Sequence, residues 1–167
     1  MELWDAYNAA GAIIPRVTLV RGEPIPDSWF HLVCDILVRH TDGSFLLMRR
    51  AKEKHFGGLW EATAGGSAIK GETPLACAKR ELFEETGIRT DNLTEIGRVL
   101  HEGHRTYYVM FLCVTDCEKN SVVLQKGETD AYRWVSEAQL LNMTPDELCT
   151  TRMQPFQEKW KIGGSQQ

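Results

Sequence analysis

Residues Gly66 to Ile88 read GSAIKGETPLACAKRELFEETGI, and this segment constrains the chain more than any other. Glu81 and Glu85 stand four apart and Glu84 lies three beyond Glu81, so on a helix all three share one face. Thr73 suits the N-cap, Pro74 suits the first helical position, and Gly87 can end the helix in a left-handed conformation. Leu75, Ala78 and Leu82 form an apolar stripe at helical spacing, with the three glutamates on the arc beside it. Like charges at this spacing destabilise a bare helix by about 0.2–0.5 kcal/mol per pair. A hard divalent cation such as Mg²⁺, which seeks carboxylate oxygens, turns that repulsion into a binding site. Arg80 can bridge to Glu84 four residues on, or reach back to Glu72 and orient the acidic edge.

An acidic helix face alone is most often solvated surface. The full pattern is harder to explain that way. It runs Gly, five residues, Glu, seven residues, then Arg-Glu-apolar-x-Glu-Glu-x-Gly-apolar. Gly66, Glu72, Arg80, Glu81, Leu82, Glu84, Glu85, Gly87 and Ile88 fill every fixed position. This resembles the Nudix box, the signature of the Nudix hydrolase family. The resemblance implies an α/β/α sandwich with a mixed central sheet. It implies cleavage of a diphosphate linkage in a nucleoside diphosphate derivative, with Mg²⁺ or Mn²⁺ as cofactor. Glu81 and Glu85 would be the main metal ligands, Glu84 a further one, and the Gly66 carbonyl a contributor. Glu72 and Arg80 would be the orienting pair. A general base must take a proton from the attacking water. Glu81 is one candidate, and Glu128, in Lys126-Gly-Glu-Thr-Asp130, is another.

The flanks fit the same resemblance. Trp60 and Gly65-Gly66 resemble the stretch before the box in many members, and Arg133-Trp134-Val135-Ser136 resembles the family's late strand entering a helix. The opening ELWDAYN and the run Met48 to Lys54 resemble the isopentenyl-diphosphate-isomerase-like branch. Its isomerases carry a catalytic cysteine just after the tryptophan that precedes the box. Here Trp60 is followed by Glu61, Ala62, Thr63 and Ala64. The isomerase is therefore a runner-up, as is a nucleotide-sensing domain without catalysis, which would be expected to lose box carboxylates.

At 167 residues with 43% apolar content, the chain suits one globular domain over 1–167. No run approaches the roughly 18 apolar residues of a membrane span, and no N-terminal signal segment is read. Five cysteines are scattered, with no paired spacing for zinc. Reduced thiols in the cytoplasm are expected. A net charge of −4 argues against a general nucleic-acid binder. Positive charge is concentrated at Arg49, Arg50, Lys52, Lys54 and His55, either as a solvated loop or as a hold for substrate phosphates. Trp29, Phe30, Phe56, Tyr107, Tyr108 and Tyr132 can stack a base, and His31, His101 and His104 can meet phosphate. For each of these, packing or exposure is the plainer role.

Alternation predicts a hairpin over about 2–21, turning at Asn8 to Gly11, with Pro15 marking an edge strand. Its Leu3, Trp4, Ile13 and Ile14 need cover, from the chain's own core or from a second copy in a homodimer. Strands are expected at 29–39, 44–50, 59–63, 93–102, 106–115 and 131–135, and an edge strand at 121–124. Ser136 should cap a helix from Glu137. Thr144-Pro145 should start a last helix towards Trp160, before a frayed tail at 163–167.

Overall fold

The computed structural model of the chain describes residues 1–150, 152, 153, 155 and 157–161. Two antiparallel strands, β1 (Leu3–Tyr7) and β2 (Ile13–Val20), form the expected hairpin. Asn8 closes its turn, since the side-chain oxygen accepts the N–H groups of Ala10 and Ala12. Gly11 takes the left-handed conformation there, with φ 77°. Pro15 lies in β2, which among the described residues pairs with β1 alone, in keeping with an edge strand.

Among the described residues, seven further strands form one mixed sheet. They are β3 (His31–His40), β4 (Phe45–Arg50), β5 (Trp60–Ala62), β6 (Ala64–Ser67), β7 (Leu93–His101), β8 (Thr106–Thr115) and β9 (Thr129–Val135). The central pair β3 and β8 is parallel, while β7 joins β8, and β5 and β9 join β4, in antiparallel fashion. Helix α1 (Pro74–Thr86) lies on one face of the sheet, and α2 (Glu137–Asn142) packs on the other. A short helix α3 (Gln157–Lys161) follows.

Period-two alternation divides the central strands between the two faces. Cys34, Ile36 and Val38 of β3, with Val109 and Phe111 of β8, pack against Cys77, Ala78 and Leu82 of α1. Leu37, Met110 and Leu112 face the other way, towards Leu140, Met143 and Leu148. Both faces are covered, so the central strands read as continuous apolar runs. The α/β/α sandwich is thus present.

Four details differ from the sequence reading. Leu75, expected on the buried stripe of α1, is 42% exposed, and the buried face runs instead through Cys77, Ala78, Leu82 and Glu85. Residues 121–124 form no strand; Val123 donates its N–H to the Thr86 carbonyl and so caps the end of α1. Among the described residues no helix starts at Thr144-Pro145, and only α3 lies in the expected stretch. Thr144 to Leu148 make a turn, because Thr144 and Glu147 bond to each other and Leu148 bridges to Trp60. Finally, β6 occupies Ala64–Ser67, which glycine content had hidden. The expected tail at 163–167 lies outside the described residues.

Candidate active site

The site is built where the chain changes partner strand. β5 pairs with β4, whereas β6 pairs with β3. The switch is Thr63, fully buried and held at φ 56°, a rare conformation for a β-branched residue. Its hydroxyl donates to the Leu46 carbonyl at 2.7 Å and accepts the Val38 N–H at 3.0 Å. This bend places Glu61 on one side and Gly65-Gly66, which pack on α1, on the other. A cleft of about 300 Å³ results, lined by Gly66, Glu81, Glu84, Glu85, Glu61 and Glu128, with Arg50, Lys54, Arg80 and, from the hairpin, Glu2 and Arg21.

Thr73 caps α1 by accepting the Ala76 N–H, Pro74 stands in its first turn, and Gly87 ends it at φ 74°. Arg80 organises the acidic face. Its guanidinium donates to Glu72 at 2.7 and 2.8 Å, to Glu81 at 2.6 Å, to Glu84 at 3.2 Å and to the Ser67 carbonyl at 3.1 Å. Glu72 also accepts the Ile69 N–H at 2.9 Å. Burial would raise the Glu72 pKa, yet the Arg80 guanidinium and this N–H hold it below the ordinary value.

Glu81 and Glu85 behave oppositely to Glu72. Burial pushes the Glu81 carboxyl up, with Arg80 offsetting only part of the rise. Burial pushes Glu85 much further, and the nearby carboxylates of Glu61 and Glu81 add to it. Glu85 takes a Gly65 N–H, but its Oε2 is buried without a hydrogen-bond partner. An orphaned carboxylate oxygen beside two further carboxylates calls for a cation. Gly66 completes the cradle, since a Cβ built there would overlap the Glu81 carboxylate. The set of hard oxygens, from Glu81, Glu84, Glu85 and the Gly66 carbonyl, suits Mg²⁺ or Mn²⁺. Among the described residues no three acidic, His or Cys side chains already meet around one point. Glu81 and Glu84 each turn one carboxylate oxygen to Arg80.

Glu128 reaches the same cleft and ion-pairs with Lys54. The basic run divides: Arg50 and Lys54 face the cleft, while Arg49 pairs with Asp130 at 2.6 Å. The sequence reading missed Glu61 as a site residue. Its carboxyl is raised by burial, even though Arg50 donates to it at 2.7 Å. A lone acid in a three-residue strand between Trp60 and Ala62 was the available signal.

A second cavity of about 260 Å³ shares Arg50, Glu61 and Gly65 with the cleft. Its walls include Asp35, Phe56, His104, Tyr108, Cys149 and Arg152. Arg152 pairs with Asp35 at 2.9 Å and lies over the Tyr108 ring at 3.9 Å. Phe56 is 54% exposed. Of the aromatic candidates, Phe56 and Tyr108 thus reach the site; Phe30 and Tyr132 pack in the core, and Trp29 packs beneath the hairpin. Of the histidines, His104 lines the cavity, while His31 stacks on Trp4.

A family model described as the NUDIX domain matches residues 29–155. The chain belongs to the Nudix family. An uncharacterised Nudix hydrolase of Listeria monocytogenes is 31% identical over 144 residues, covering 84% of this chain and 83% of that protein. An isopentenyl-diphosphate Δ-isomerase of Corynebacterium diphtheriae is 29% identical over 142 residues, covering 77% of this chain and 76% of that one. The NUDIX domain of Shewanella oneidensis NrtR, solved with ADP ribose, has a TM-score of 0.64 at 18% identity. That match covers 80% of this chain and 88% of that one. Nudix hydrolases act on diphosphate-containing substrates and generally use divalent metals. No helix among the described residues is long and apolar enough to cross a membrane.

Proposed function

We propose that this Nudix protein is a Mg²⁺- or Mn²⁺-dependent hydrolase that cleaves the diphosphate linkage of a nucleoside diphosphate derivative. The observation that carries the reading is the convergence of Glu81, Glu84, Glu85 and Gly66 on a cleft that also contains Arg50 and Lys54. Glu81, Glu84, Glu85 and the Gly66 carbonyl would hold the ion, which when bound supplies charge neutralisation at phosphate oxygens and a positioned water. Arg50 and Lys54 would bind phosphate oxygens as charge-assisted donors. Phosphate would then compete with Glu61 for Arg50 and with Glu128 for Lys54. Glu128, released in this way, and Glu81 are the two candidates to take the proton from water. The organic group would enter the adjoining cavity, where Phe56 and Tyr108 offer ring faces and Asp35 offers acceptors. That cavity and a nucleoside are of comparable size.

A panel of nucleoside diphosphate derivatives with Mg²⁺, read by phosphate or nucleotide release, tests the reading. Release is expected from at least one member and none after chelation; an inactive panel with folded protein would overturn it.

One observation favours the isomerase as a second reading. Cys149 brings a thiol into the cavity from a distant part of the sequence and donates to Glu61 at 3.7 Å. Burial pushes its pKa up to about 12, which keeps it a proton donor. Isopentenyl diphosphate followed by NMR discriminates, since the isomerase moves a double bond and releases no phosphate.

We also propose the cytoplasm as the compartment, supported by five free thiols, three of them buried. A homodimer is a further proposal. Trp4 of the hairpin is covered by the chain itself, while Leu3 and Ile13 stay exposed.

A further inference from the structure

We propose that the N-terminal hairpin is a working part of the metal site and that Asp5 is its positioning residue. The inference rests on the metal reading above. The family match begins at residue 29, so β1 and β2 lie outside it. Yet the hairpin grips the loop that precedes α1 in three places. The Lys70 N–H donates to the Leu3 carbonyl at 2.8 Å, the Gly71 N–H to Asp5 Oδ2 at 2.7 Å, and Lys70 Nζ to Thr18 Oγ1 at 2.6 Å.

The grip falls next to the residue that matters. Gly71 sits at φ 87°, where a side chain is disfavoured, and the following residue is Glu72. Glu72 accepts both bonds from Arg80, and Arg80 in turn holds Glu81, Glu84 and the Ser67 carbonyl. A continuous set of hydrogen bonds therefore runs from Asp5 through the Gly71–Glu72 backbone to Arg80 and the metal carboxylates. Held from the α1 side alone, the loop could swing with Glu72 and take Arg80 along. Held from both sides, it fixes the guanidinium that positions Glu81 and Glu84. Asp5 touches neither ion nor substrate in this scheme; it acts through Gly71 and Glu72. A carboxylate accepting a backbone N–H suits the task, because such charge-assisted bonds are short and directional.

The test measures Mn²⁺ binding to the full chain by electron paramagnetic resonance, alongside steady-state kinetics. Asp5→Ala is expected to weaken Mn²⁺ binding about tenfold or more, as outer-shell changes do. It should also lower kcat while KM for the diphosphate substrate changes less than about twofold. Asp5→Asn keeps an acceptor oxygen and should recover most of the loss. Thr18→Val removes only the outer tie and should weaken Mn²⁺ about twofold; it carries the test alone if Asp5→Ala does not fold. A purely structural tie would lower the melting midpoint yet leave Mn²⁺ affinity and kcat per folded molecule unchanged. That result, in Asp5→Ala or in Thr18→Val, would overturn the hairpin's role and leave the metal reading standing. A wild-type protein that binds no Mn²⁺ would overturn both.

Discussion

Glu85 is the residue at which folding and the proposed chemistry oppose each other. The residue is 7% exposed, with its carboxyl near those of Glu61 and Glu81 and one oxygen unpartnered. The folded pKa lies well above the ordinary 4.5, so the folded state holds a proton that the unfolded state releases. Its contribution to stability is fully present below about pH 4.5 and is lost as pH rises through the folded value. Glu85→Gln should therefore raise the metal-free melting midpoint at pH 8, with a gain that shrinks towards pH 4.5. Relief of each kcal/mol corresponds to about 2–4 °C in a chain of this size. Calorimetry in chelator at the two pH values checks this; an equal or lower midpoint at pH 8 contradicts it. Glu72 has a different role. It serves Arg80, so Glu72→Gln should reduce turnover about 10–100-fold at saturating Mg²⁺. Glu81→Gln should cost more, and the reverse order would mean that the ligand and the orienting residue have been exchanged. Gly66→Ala would push a methyl group into the Glu81 carboxylate. That carboxylate is the free end of a flexible side chain, so the expected result is weaker metal binding with a nearly unchanged midpoint.

At the scale of elements, the sequence was most legible where local chemistry and fold agree. Thr73, Pro74 and Gly87 bound α1 as expected, and Ser136 with Gln139 makes a reciprocal cap on α2. The aromatic and aliphatic run in 106–115 yields β8 at the same limits. Legibility failed where a tertiary partner decides. Residues 121–124 read as a strand by composition, but the Val123 N–H serves the end of α1. Thr144-Pro145 looks like a helix start, yet the bridge from Leu148 to Trp60 draws the chain along the sheet edge. β6 was invisible because its glycines carry no strand signal; pairing with β3 and contacts from α1 hold it. Its position depends on Thr63, and a prediction belongs here. Thr63→Val removes the hydroxyl that satisfies the Val38 N–H and the Leu46 carbonyl. Leaving a buried backbone group unpaired costs about 1–3 kcal/mol, hence a midpoint lower by roughly 2–12 °C for each group. Thr63→Ser keeps both bonds and should lose far less; equal losses would show that the methyl group, rather than the hydroxyl, holds the bend.

Across the whole molecule, the box residues named the carboxylates proposed to hold the metal, but not what stands opposite them. Arg50 and Glu61 meet the box through sheet pairing, Lys54 from the loop between β4 and β5, and Glu2 and Arg21 through the hairpin, contacts no local pattern encodes. The folded chain therefore assembles four cationic groups around one cleft, each paired with a carboxylate, while Glu85 keeps one oxygen without a hydrogen-bond partner. Such an arrangement should gain stability when a cation enters. A ligand at about 100 times its dissociation constant stabilises the folded state by about 2.7 kcal/mol, or roughly 5–10 °C here. Mg²⁺ should accordingly raise the wild-type midpoint and leave Glu85→Gln almost unmoved, since that variant lacks the ligand charge. The order of melting then reverses: the variant is the more stable protein in chelator, and the wild type is the more stable in Mg²⁺. Both midpoints can be read in one calorimetric series at pH 8. Parallel shifts in the two proteins would place the cation somewhere other than Glu85.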